Sequence, residues 1–149
     1  MRYCRFTVVL PLWVALLGTG AMAQETGLAN EALSHSKVFA FDSLSVRKMA
    51  NGGESRDVVQ GTLATGEAVA IHESVQPAGI PPNPAHQIAH SEFILVQEGI
   101  LEFNHDGKTE RAGPGSVIYV AYGTMHGVRN VGDVAAKYTV ISLGGDVKK

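Results

Sequence analysis

From residue 37 onward, apolar and polar residues alternate in short runs broken by glycine, proline and asparagine, the pattern of short β-strands. Residues 68–76 are the clearest case, with Val69, Ile71 and Val75 alternating with Ala68, Ala70, His72 and Ser74. Comparable runs predict strands over 37–42 (Val38-Phe39-Ala40-Phe41), 57–63, 100–104, 109–112, 117–121, 126–131 and 134–143. Asn51-Gly52-Gly53, Thr65-Gly66-Glu67 and Gly113-Pro114-Gly115 read as turns, and Asp106-Gly107 as the tip of a tight hairpin. Residues 77–84 hold four of the six prolines and predict a stiff loop that delivers His86 to a rim. About nine short strands, Gly-rich turns and no amphipathic helix predict one all-β domain, a barrel or sandwich, over 37–149. Residues 24–36 are polar and mildly helical at best, and are expected to be an unstructured lead-in.

Residues 1–23 read differently. Arg2 and Arg5 precede a short apolar stretch over 8–17, and Ala21-Met22-Ala23 supplies small residues for cleavage. This is a secretory signal peptide with cleavage expected after Ala23, so the mature chain is expected to be periplasmic or secreted. The apolar stretch is interrupted by Pro11 and falls short of the roughly 20 residues a bilayer span needs, so no membrane association is expected after cleavage.

Removing that leader changes the chemistry. Arg2 and Arg5 leave with it, which lowers the 12 basic residues to 10 against 14 acidic ones, a net charge of −4. No basic patch remains to hold nucleic acid by its phosphates. The only Cys (Cys4) and the only Trp (Trp13) leave too, so any metal must be held by nitrogen and oxygen. With 45% hydrophobic residues over its 149 positions, the chain has ample material for one packed core.

The candidate chemistry lies in two stretches. The first, residues 86–99, reads His86-Gln-Ile-Ala-His90-Ser-Glu92-Phe-Ile-Leu-Val-Gln-Glu-Gly99. His86 to His90 has the spacing of a zinc-protease helix, but Gln87 cannot serve as that motif's general base. Pro84 and the strand-forming Phe93-Ile94-Leu95-Val96 also argue for a strand. On one strand His86, Ile88, His90 and Glu92 would share a face, while Phe93 and Leu95 would make the other face apolar. A strand apolar on both faces is covered on both, which points to a second sheet or a partner subunit, hence a homodimer. Two histidines and a carboxylate around an open position suit a divalent transition metal: Fe, Mn, Ni or Zn. Glu92 on an apolar strand would cost several kcal/mol if buried without a partner.

The two stretches together resemble the cupin superfamily. Glu92 and Gly99 have the cupin spacing of the first motif, and His86 falls at its first-histidine position. Gly115-Ser-Val-Ile-Tyr-Val-Ala121-Tyr-Gly123-Thr-Met-His126-Gly-Val-Arg-Asn130 matches the second motif except at Ala121, where proline is usual. The resemblance spans roughly residues 66–143. It implies a double-stranded β-helix (a jelly-roll β-barrel) with His86, Glu92 and His126 on a metal. Ile88 stands where the second histidine is usual. Either His90 completes a set of His86, His90, Glu92 and His126, or three ligands suffice; shared parity favours the four. Ala121 is expected to loosen the turn before His126. His72 either packs or lines the cavity, His105 is expected in solvent, and Asn130 is expected to satisfy backbone groups.

Two functions follow. One is a metal-dependent enzyme acting on a small oxygenated molecule by dioxygenase, isomerase or lyase chemistry. The other is a non-catalytic cupin that binds a small ligand or metal. A metal-free structural domain is a third, weaker reading.

Overall fold

The computed structural model describes residues 31–147; the leader expected over 1–23 lies outside the described residues. Among the described residues, eleven strands carry the fold: β1 (Glu31–Leu33), β2 (Val46–Lys48), β3 (Glu54–Leu63), β4 (Ala68–Gln76), β5 (His86–Gln87), β6 (Ser91–Glu98), β7 (Leu101–His105), β8 (Lys108–Ala112), β9 (Val117–Val120), β10 (Met125–Asn130) and β11 (Ala136–Leu143). One sheet runs β1-β3-β4-β11-β6-β9 with β2 on β3, and the other runs β5-β10-β7-β8. The all-β expectation holds. The architecture is a jelly roll of two facing sheets rather than one sheet closed on itself. Among the described residues no helix is long and apolar enough to cross a membrane.

The core lies between the sheets. Along β6 the alternation works as expected: Glu92, Ile94 and Val96 are buried, and Phe93 and Leu95 are exposed. Ile94 and Val96 join Leu101, Phe103, Ile118 and Val140 in one cluster. Leu101 is wholly buried, which contributes about 1.5–3 kcal/mol. Gly99 ends β6 at φ +76°, and a Cβ there would lie 2.6 Å from Ala136 Cα, so only glycine fits the turn into β7.

Three sequence expectations need correction. Residues 37–42 form no strand; Phe41–Ser43 is a single 3-10 turn, and the edge strand is β2 instead. Val38 and Phe41 are exposed and find no ladder partner, so their apolar character did not make a strand. Phe41 lies beneath the Arg56 guanidinium, 4.7 Å from its ring centre. The lead-in is not wholly irregular, because β1 pairs parallel with β3, Glu31 opposite Gly61.

The third correction concerns residues 86–99. They form two strands in two sheets, not one, broken at residues 88–90. The backbone groups there leave the ladder: Ile88 C=O accepts from Gly123 N–H (2.9 Å) and Ala89 C=O from Asp146 N–H (3.0 Å). Parity counted across the break therefore fails. Outside β6, Phe93 rests on Tyr119, ring centres 5.2 Å apart, and Tyr119 is 55% exposed. No second sheet covers that face among the described residues.

Candidate metal centre

Register brings the two motifs together. β10 pairs with β5 so that His126 is directly opposite His86, and directly opposed residues point to the same face. Their rings stand 4.7 Å apart. Glu92 comes from the facing sheet, paired with Ser142 on β11. His86, Glu92 and His126 line one cavity of about 140 Å³ between the sheets.

The tautomer of His126 is fixed by its neighbour. Its Nδ1–H donates to the Thr124 carbonyl (3.2 Å), which can only accept. The lone pair is then on Nε2, 3.7 Å from Glu92 Oε2. Burial pushes the His126 pKa down, so the ring is neutral at pH 7, the form that binds metals. The turn before it closes through Thr124 N–H to Ala121 C=O (3.1 Å) without the usual proline.

Glu92 divides its two oxygens. Oε1 accepts from Ser142 Oγ–H (3.0 Å) and from His90 Nε2 (2.9 Å). Oε2 faces His126. These contacts supply the polar partners that a carboxylate 8% exposed requires.

His90 is placed elsewhere. It lies outside the set lining the cavity, and its Nδ1 is 2.6 Å from Asp146 Oδ1. Burial works against its charge, but the hydrogen bonds to Glu92 and Asp146 prevail and raise its pKa. Both ring nitrogens lie within hydrogen-bond reach of a carboxylate oxygen as these side chains stand. The four-ligand set is not assembled as these side chains stand.

The fit to a metal is close for two donors. Two donors about 2.1 Å from one ion lie about 3.0–3.4 Å apart at octahedral or tetrahedral angles, against 3.7 Å for His126 and Glu92. His86 is exposed and reaches the cavity from its rim, its ring against that of His126. As placed, no three His, Cys, Asp or Glu side chains among the described residues converge on one point.

Other residues join the cavity that the motifs did not mark. His72 lines it, and burial holds its pKa down against the pull of Glu92 and Asp57. It is paired with Val140 on β11, and Ile94 of β6 lies beyond that. Two strand spacings, about 10 Å, therefore separate the His72 strand from the Glu92 strand. Tyr138 accepts from Gln76 Nε2 (2.8 Å), and burial raises its phenol pKa. Polar residues at inward positions of alternating strands were the available signal.

The remaining expectations sort simply. Asn130 satisfies backbone groups, its Nδ2 donating to Gln76 C=O (2.9 Å) and Val134 C=O (2.7 Å). Tyr119 and Tyr122 are exposed. His105 is not simply solvated: its ring stacks on Phe103 and its Nε2 bonds Glu110 at 2.7 Å.

The comparisons agree with this architecture. The cupin domain family matches residues 71–142, the span from β4 to β11 that holds His72, both motifs and Ser142. The chain carries a cupin domain over these residues. Among solved structures, this cupin is similar to a predicted oxalate decarboxylase from Thermotoga maritima (16% identity, 72% of this chain and 98% of that one, TM-score 0.57). It is also similar to an RmlC-like cupin from Shewanella frigidimarina (16% identity, 74% and 94%, TM-score 0.57). A third is an RmlC-like cupin with a double-stranded β-helix fold from Methanocaldococcus jannaschii (18% identity, 73% and 91%, TM-score 0.52). At these identities the likeness is one of fold. Compared with curated proteins, the cupin matches none.

Proposed function

We propose that this cupin holds one divalent transition metal (Fe, Mn, Ni or Zn) through His86, Glu92 and His126, and binds a small oxygenated molecule in the cavity beside it. The observation that carries this reading is the His126 Nε2 lone pair facing Glu92 Oε2 at 3.7 Å, with Thr124 fixing the tautomer. Two imidazoles and one carboxylate, with no thiolate, are a donor set for such ions. An ion held there would act as a Lewis acid on the bound molecule. The chain's own residues would do the rest: Ser142 and His90 hold Glu92 Oε1, and His72 and Tyr138 present polar groups to the ligand. Export past the leader is part of the same proposal.

A cavity of about 140 Å³ is small; one near 150 Å³ accepts a benzene-sized molecule. That suits a ligand of a few carbons. Metal analysis of the purified protein tests the reading. The wild type is expected to carry close to one equivalent, and His126→Ala far less. A wild type that neither arrives with metal nor takes up Fe, Mn, Ni or Zn on addition would refute it.

A further inference from the structure

The inner face of the larger sheet carries a polar row that the metal reading leaves unexplained. Register pairs Arg47 with Ser55, Ser55 with Ser74, and Ser74 with Tyr138. Directly opposed residues share a face, so the row crosses four strands, and all four residues line the cavity. Ser55 and Tyr138 are buried, whereas Arg47 is 59% exposed at its side chain, which puts the cation at the rim.

Among the described residues that line the cavity, Arg47 alone has a permanent positive charge, and its guanidinium is poorly satisfied. Nη2 reaches Ser55 Oγ at 3.4 Å, Nη1 reaches only the Met49 sulfur, and Asp57 stands at 3.9 Å. That last distance is beyond a hydrogen bond. The acidic residues of the cavity are otherwise engaged. Glu54 is paired with Lys48 (2.5 Å) and Arg56 (3.4 Å), and Glu92 faces the histidines. A guanidinium fork with open N–H groups above a row of hydroxyls matches a carboxylate, which it binds bidentately.

We infer that the ligand of this cavity is a small carboxylic acid whose carboxylate is anchored by Arg47, with the Ser55, Ser74 and Tyr138 hydroxyls beneath it. This deepens the proposed function and rests on that reading only in taking the same cavity as the ligand site. The short strand β2 then serves as the element that carries the anchor, held to the sheet by its pairing with β3.

The test uses malonate and its uncharged isostere malonamide as probes, with binding to the mature full-length protein followed by calorimetry. The wild type is expected to bind malonate in preference to malonamide. Arg47→Gln is expected to lose at least about tenfold in malonate affinity with malonamide unaffected, and Arg47→Lys to retain part of the preference. Equal affinity for the two probes, no malonate binding, or undiminished malonate binding by Arg47→Gln would each overturn the inference. Melting curves confirm that both variants fold. Metal content is measured in parallel, because malonate can also chelate an ion. Arg47-dependent binding to a protein that neither carries metal nor takes it up on addition would leave this inference standing and the metal reading refuted. Binding that depends on the metal but not on Arg47 would do the reverse.

Discussion

His90 Nε2 stands 2.9 Å from Glu92 Oε1, and on its other side His90 Nδ1 stands 2.6 Å from Asp146. As these side chains stand, the imidazole braces a candidate ligand, and we propose that this is its role at the metal site. Partners of this kind change metal affinity by about 10–100-fold when removed. His90→Gln is thus expected to keep one-to-one metal stoichiometry with an affinity lowered by that order, whereas His126→Ala loses binding. Titration of both variants with a competing chelator makes the comparison. A His90→Gln protein as empty as His126→Ala would make His90 a ligand.

The chain after β11 holds this arrangement in place. Gly145 adopts φ +55°, and a Cβ there would fall 1.8 Å from the Ala89 carbonyl oxygen. No shift short of moving backbone relieves such an overlap. Gly145→Ala should destabilise the protein by about 1–3 kcal/mol and release Asp146 from His90. Urea unfolding gives the first quantity, and the NMR shift of the His90 ring gives the second. Unchanged values in both would mean that the tail does not pack against residues 88–90.

His72 sets a pH dependence whose sign is fixed. Burial depresses its pKa, so the unfolded chain takes up a proton that the folded chain resists. Its contribution is full above about pH 6.5 and is lost as pH falls through the lower folded value. Wild-type stability, measured by urea unfolding, should therefore drop more than that of His72→Asn between about pH 7.5 and 5.5. His90 and His105 are raised and act in the opposite direction, but both remain in the two proteins and cancel. An equal drop in both would show that His72 is not the source.

Export makes a prediction independent of the fold. Protein recovered from outside the cytoplasm should begin at Gln24, as read by intact mass or N-terminal sequencing. A mature protein that begins at Met1 would end the leader reading.

The sequence by itself determined what depends on neighbours along the chain. The alternation over residues 68–76 and the Asp106-Gly107 turn marked β4 and the β7–β8 hairpin, because strand faces and turn backbones follow local side-chain chemistry. The spacing around Glu92 and His126 picked out residues that do line one cavity. Tertiary structure decided the rest. Counting parity through residues 86–92 could not reveal the break at 88–90, since the bonds that cause it come from Gly123 and Asp146, far along the chain. For the same reason nothing local set His90 apart from His86, or placed Arg47 on a row with Tyr138. Those relations follow from strand register, which is fixed only when distant strands pair and bury a common face.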